Sequence, residues 1–409
     1  MNDIRRTILW VIFGFSMVLL WDQWQVHNGK KATFFPSPAQ QVAPAAVGAS
    51  GPLPAASDAG VPAAVAQAGT AMAPVAPVAP TAPKERFEVT TDVLKLTFDT
   101  EGGSLVRTEF LKYSDMADKT RNFVLLDDSK DRVYMAQTGV IAGAAGGAFP
   151  THKTPMAVTG ERVLKEGANE LVVKFTSPDV GGIKLVKTYT LRRGAYDATV
   201  KHELTNTSTA AIAPQLYLQL VRDGNKPAGE SSFYSTFTGP AVYTEAKKYQ
   251  KAEFSDIKKK NVDVEKQASN GYIAMVQHYF ASAWILPDGI QRNLSLDAVD
   301  IGASVPDCCY RTTMIAPLEA IAPGATKVVD AKFFAGPQEE KMLESLAPGL
   351  ELVKDYGWLT ILAKPLYWLL DKLHSFIQNW GWSIVALVLL LKIAFYWLNA
   401  KAYASMAKM

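Results

Sequence analysis

Apolar and polar positions divide this chain into distinct regimes. Ile8 to Trp21 is almost continuously apolar, with Arg5 and Arg6 before it and Trp10, Trp21 and Trp24 placed as interface anchors. From about Ala32 to Pro83 no period is present, only repeated Pro and Ala, as in GPLPAASDAGVPAAVAQAGTAMAPVAPVAPTAP. From Lys84 onward short segments alternate with period two: VLKLTFDTEGGSL, ELVVKFTS, IKLVKTYTLRRG and YDATVKHELTN, each bounded by Gly, Asn, Asp or Pro. Alternation of that kind predicts antiparallel strands, with Ile183, Leu185, Tyr189 and Leu191 on one face. QHYFASAWI and VVDAKFFAGP read as later strands of the same unit.

After residue 337 the period changes. A short helix is expected between Gln338 and Pro348-Gly349. In DYGWLTILAKPLYWLLDKLHSFIQNWGW, Leu359, Leu362, Leu366, Leu369, Leu373, Phe376 and Trp380 form one stripe at helical spacing. Lys364, Tyr367, Asp371, His374 and Gln378 form the opposite one, so this segment is an amphipathic helix. A surface helix of the β-domain would show the same pattern. Its position against the next apolar run and its aromatic residues favour the membrane interface. The Trp382–Leu398 run, with its flanks, can cross a hydrocarbon core of about 30 Å.

The two apolar runs fix an orientation. Arginines before the first run place the N-terminus in the cytoplasm, and Lys401 and Lys408 after the second agree. A cleaved signal peptide is the rival reading of the first run. No small-x-small site follows it, since Leu20, Trp21, Gln23 and Trp24 are bulky, which favours an uncleaved anchor. The expected organisation is a signal-anchor at 1–31, a Pro/Ala-rich disordered linker at 32–83 and a β-domain at 84–337. A short helix and the interfacial helix occupy 338–380, a second span 381–400, and a cytoplasmic start 401–409. The linker cannot bury enough apolar surface to fold, and its prolines favour extended conformations.

Composition adds exclusions. The chain has 409 residues, 20% charged, with a net charge of +3, which gives no support to nucleic-acid binding. The two cysteines, Cys308 and Cys309, are adjacent, so no disulfide between distant segments holds the β-domain. Two small unlinked side chains are the plain expectation. The five histidines, His27, His152, His202, His278 and His374, show no metal-ligand spacing. His202 shares a face with Val200 and Leu204 and reads as a core residue rather than half of a catalytic pair. Glu101-Gly102-Gly103 reads as a strand turn, since no phosphate-binding fingerprint surrounds it. The basic stretch from Glu245 to Asn261 reads as a solvated face, with partner docking as its functional alternative.

The candidate functional residue is Lys392, inside the second apolar run. A charge at that depth costs roughly 2.5–3.5 kcal/mol. The surrounding leucines could offset that cost and leave a merely tolerated lysine. Lys392, Tyr396, Asn399 and Tyr403, however, follow one another at spacings that give a polar stripe. The stripe favours a cation facing a water-filled cavity built with other helices, where polar or acidic segments could be received.

Asp355 to Met409, above all YGWLTILAKPLYWLLDKLHSFIQNWGWSIV and KAYASMAKM, closely resembles the bacterial YidC membrane protein insertases. So do the Arg5-Arg6 anchor, the Pro/Ala tether, GYIAMVQHYFASAWI and FFAGP. The resemblance implies a mixed fold: an all-β periplasmic supersandwich of galactose-mutarotase-like type flanked by transmembrane α-helices, in the bacterial inner membrane. It implies a hydrophilic groove, open to cytoplasm and lipid, in which Lys392, Tyr396 and Asn399 contact client chains, without covalent chemistry or cofactor. The groove's basic residue, usually arginine, falls on Lys392, which keeps the charge but lacks the planar fork of donors. Implied partners are nascent integral membrane proteins, the Sec translocon with its accessory subunits, the ribosome and the lipid bilayer. Ending at Met409, the chain carries two of the six spans such proteins have. Were that its native end, a membrane-anchored periplasmic domain that binds glycan or protein would be the alternative function.

Overall fold

The computed structural model describes residues 60–63, 85–142, 148–227, 236–354 and 360–407. The chain divides into two compact units, Met1–Ala55 and Ala56–Met409, and all described residues belong to the second. The signal-anchor expected at 1–31 and most of the linker expected at 32–83 lie outside the described residues.

Among the described residues the strands form two nine-stranded sheets. The first begins with β1 (Arg86–Thr90), β2 (Leu94–Asp99), β3 (Ser104–Ser114), β4 (Asn122–Asp128) and β5 (Val133–Ile141). It continues through β10 (Gln215–Arg222), β17 (Tyr310–Pro317), β16 (Arg292–Ala298) and β13 (Gln267–Ala268). The second runs β12 (Lys248–Lys251), β11 (Gly239–Thr244), β14 (Tyr272–Gln277), β15 (Phe280–Ile285) and β18 (Thr326–Pro337). It ends with β9 (Asp197–Asn206), β8 (Ile183–Arg192), β7 (Glu170–Thr176) and β6 (Ala157–Gly160). Every pairing between these strands is antiparallel, as β8 with β9 through Leu185↔Leu204 and Lys187↔His202. A short helix α1 (Phe254–Lys258) follows β12.

The sheets face each other across one apolar core that includes Phe98, Phe110, Val200, Leu218, Trp284 and Met314. Period-two alternation supplies it: in β8 Ile183, Leu185, Tyr189 and Leu191 are buried while Lys184 and Arg192 are exposed. Polar ties cross the same interior. The Tyr134 hydroxyl donates to Met275 O at 3.2 Å and lies 2.6 Å from Ser282 Oγ. Trp284 Nε1 donates to Gln219 O at 3.2 Å.

The outer face of the second sheet is covered as well. Tyr243, Tyr272, Ala274, Ala281 and Ala283 form a second cluster with Leu343 of α2 (Glu340–Leu346) and with Leu350 and Val353 of a 3-10 turn, Leu350–Val353. The small side chains of Ala274 and Ala283, paired across β14 and β15, let these helices approach closely. Gly349 is at φ +75°, and a Cβ there would lie 2.3 Å from the Tyr243 ring, so only glycine fits.

Two helices follow, α3 (Thr360–Ile377) and α4 (Trp380–Ala407). Helix α4 continues past residue 400, where the apolar run gives way. Among the described residues no helix is long and apolar enough to cross a membrane. The described side chains of α4 run without a break only from Trp380 to Tyr396.

Cys309 is buried with Val133, Met135, Val221 and Val305, and Cys308 packs on the same cluster. One expectation is corrected. Within the linker, Gly60–Ala63 lies against the first sheet rather than standing free: Gly60 O accepts hydrogen bonds from Gln219 and Arg311.

Candidate functional site

The segment from α2 to α4 carries the candidate residues, so its construction decides which way they face. Helix α3 turns its polar stripe toward the β-domain. Lys341 Nζ of α2 donates to Asp371 Oδ2 at 3.0 Å and Oδ1 at 3.1 Å. Lys354 Nζ sits 4.0 Å from the centre of the Tyr367 ring, a cation–π contact, and 3.8 Å from Glu340. The hydrogen bond from Lys341 to Asp371, with the charge of that carboxylate, holds the Lys341 ammonium above its ordinary pKa. Burial lowers that of Lys354, against the attraction of Glu340.

The outward side of α3 is mixed. Ile361 is 89% exposed and Phe376 90%, with Leu362, Trp368, Lys364 and Lys372 also exposed, while Leu366, Leu369 and Leu373 are half-buried. A helix packed on a core by its apolar stripe would bury Leu362 and Phe376 as well.

The α3–α4 junction is compact. Gln378 closes α3 at φ 57°, and Asn379 Oδ1 accepts the Trp382 backbone N–H at 3.2 Å, capping α4. The His374 ring stacks on Trp380 at 3.7 Å, with 10° between the planes. Beyond this junction the described length of α4 is mostly apolar, with Trp382, Val385, Leu389 and Ile393 exposed. Lys392 and Tyr396 stand one turn apart on one face, both exposed. The backbone of Asn399 continues the helix, and its side chain lies outside the described residues.

The other sequence candidates fall in the sandwich. His202 is fully buried, with Nε2 3.1 Å from Thr138 Oγ1. Burial, with the nearby Lys187 charge second, pushes its pKa down to about 3, so it is a neutral core residue. His152 Nδ1 lies 2.7 Å from the Tyr217 hydroxyl, which also accepts the His152 backbone N–H at 2.9 Å. Glu101, Gly102 and Gly103 form the turn between β2 and β3. The backbone of His152 packs against this turn, where a Cβ on Gly102 would lie 2.3 Å from it.

Sequence reasoning passed over Lys187. It stands between Leu185 and Tyr189 on the inward face of β8 and is fully buried. Its Nζ donates to Gly102 O and to Thr138 O, each at 2.6 Å, and Tyr189 OH donates to Gly103 O at 3.0 Å. Burial lowers the Lys187 pKa to about 7. The alternation that put its neighbours inside was the available signal.

A broad antiparallel sandwich followed by two helices that expose large apolar side chains defines a protein that presents these helices to a partner or a membrane. Residues 86–369 match the family model of the YidC periplasmic domain. The chain is 51% identical to a membrane protein insertase YidC of Cupriavidus taiwanensis over 414 residues, covering 100% of this chain and 71% of that protein. Against the insertase YidC of Bordetella parapertussis it is 48% identical over 410 residues, again 100% and 71%. This chain belongs to the YidC family of membrane protein insertases. Among solved structures, a galactose mutarotase-like protein from Lactobacillus casei aligns with a TM-score of 0.38 and 9% identity, over 61% of this chain and 100% of that one.

Proposed function

We propose that this insertase acts in the bacterial inner membrane with its N-terminus in the cytoplasm, its sandwich in the periplasm, α3 lying at the membrane interface and α4 crossing the bilayer. The observation that carries the reading is the pairing of two helices of opposite character. Helix α3 gives Tyr367 and Asp371 to the β-domain and exposes Ile361, Leu362, Trp368 and Phe376, while α4 is 28 residues long and mostly apolar over its first five turns. At 1.5 Å per residue α4 reaches about 42 Å, more than a hydrocarbon core of about 30 Å. From Trp380 to Leu398 the sequence carries one charge, at Lys392.

Lys392, with Tyr396 and Asn399 on the same side of α4, forms the wall that hydrophilic segments of a client touch as they cross. A fixed ammonium in low-dielectric surroundings attracts acidic client segments and lowers the barrier to their transfer. Clients arrive directly or from the Sec translocon and its accessory subunits, and those still being made arrive with the ribosome.

The test is insertion of a client bearing an acidic translocated segment, in cells depleted of their own insertase. Lys392→Leu is expected to reduce insertion at least tenfold, and Lys392→Arg to retain it. Full insertion with Lys392→Leu would remove this residue from the client path without touching family membership.

A further inference from the structure

We infer that the outer face of the first sheet carries a docking site for an extended Gly-Val-Pro peptide, which the chain fills with its own residues Gly60–Ala63. The Gly60 carbonyl accepts from Gln219 Nε2 at 3.2 Å and from Arg311 Nη1 at 3.1 Å. These donors stand on the neighbouring strands β10 and β17, on the face turned away from the core that holds Leu218 and Met314. Val61 packs on Ile141, Tyr217 and Ile315, a cluster separate from the inter-sheet core, and Pro62 is buried.

Both donors are also held by neighbouring side chains of the sheet. Asp297 Oδ2 fixes the Arg311 guanidinium at 3.3 Å, and Gln137 Oε1 accepts from Gln219 Nε2 at 2.7 Å. Under the docked segment Arg311 is 8% exposed and Gln219 fully buried. With the segment in place Gln219 Oε1 and Arg311 Nε stay unpartnered among the described residues, so Gly60 O is the one peptide group these two side chains hold. A cleft of about 770 Å³ opens beside Pro62 and Ala63, walled by Val264, Leu294, Arg311 and Ile315.

Selectivity comes from backbone as much as from side chains. Gly60 is at φ +96°, a conformation that L side chains rarely adopt, although a Cβ there would meet only ordinary contacts at 3.5 Å. The next residue must be a compact apolar group, and proline then holds the chain extended. The site therefore takes Gly, a β-branched residue and Pro in that order. Within 32–83 the sequence Gly-Val-Pro occurs once, at 60–62.

Docking shortens the tether. Fully extended, the residues from 32 to 85 span at most about 190 Å, and those from 32 to 60 about 100 Å. Pinning at Gly60 thus roughly halves the distance the β-domain can stand from residue 32. This holds whether or not Lys392 touches clients.

The experiment is thiol alkylation of the full chain in detergent, read by mass on the tryptic fragment of the tether, which contains no native cysteine. Val61→Cys and Pro62→Cys are compared with Ala45→Cys. At position 61 or 62 the thiol is expected to react at least tenfold more slowly than at 45. Adding Gly60→Val, a change in the tether that leaves the sandwich intact, is expected to restore the faster rate. Equal rates at 45, 61 and 62 would overturn the site, as would protection that Gly60→Val fails to relieve.

Discussion

The ammonium of Lys341 lies 3.0 Å from the carboxylate of Asp371, joining the helix that packs on the second sheet to the polar stripe of α3. With Lys354 over Tyr367 it sets which side of α3 remains free. Asp371→Ala should leave the unfolding midpoint of the sandwich within about 2 °C, because an exposed pair adds little stability. It should instead broaden the distance between spin labels at Glu344 and Lys372. The charge swap Lys341→Asp with Asp371→Lys should narrow it again. An unchanged distribution in Asp371→Ala would mean that the pair does not orient α3.

Trp368 and Phe376 are the probes of the proposed interfacial placement of α3. In the full chain reconstituted in vesicles, brominated lipids should quench Trp368 at headgroup depth in a background from which the other tryptophans have been removed. Phe376→Glu should weaken that quenching severalfold, by placing a charge where the apolar face enters the interface. Quenching that Phe376→Glu leaves untouched would remove α3 from the interface.

Lys187 makes stability depend on pH in a stated direction. Its folded pKa, about 7, is below the ordinary lysine value of 10.5, so between these values the unfolded chain binds the extra proton. Stability from this group therefore rises with pH from about 7 to 10.5, by at most about 1.4 kcal/mol per unit, and is flat below 7. Lys187→Met should abolish that rise. It should also cost stability at pH 10, since Gly102 O and Thr138 O lose their donor. Urea unfolding at several pH values measures both effects.

His202 works on the acid side. Its folded pKa, about 3, lies below 6.5, so its contribution is complete above pH 6.5 and is lost as pH falls toward 3. Replacing it with leucine should flatten the loss of stability between pH 6 and pH 4, read as the shift in thermal midpoint relative to the unsubstituted chain. A parallel decline in both proteins would assign the acid sensitivity elsewhere.

Alternation along single strands made much of the sandwich legible from sequence. Ile183, Leu185, Tyr189 and Leu191 face inward, and so does His202 beside Val200 and Leu204. The same rule placed Lys187 inside, but charge argued for the surface. Its two carbonyl acceptors lie 85 and 49 positions away in the chain, and no local pattern announces them. Gly60–Ala63 was hidden for a like reason: it sits in a monotonous Pro/Ala stretch, and its donors are 159 and 251 residues distant. The stripes of α3 could be read, yet which one the β-domain holds depended on Lys341 and Lys354, which belong to other elements.

The ties across the sandwich converge on its middle. Tyr134 and Thr138 of β5 and Gln219 of β10 are bonded to Ser282, Lys187 and Trp284 of the opposite sheet. By contrast β6 and β13 are four and two residues long, and each pairs with a single neighbour. An engineer wishing to fuse a reporter or affinity tag to this domain should therefore work at those two margins, where a frayed strand leaves the central fastening untouched.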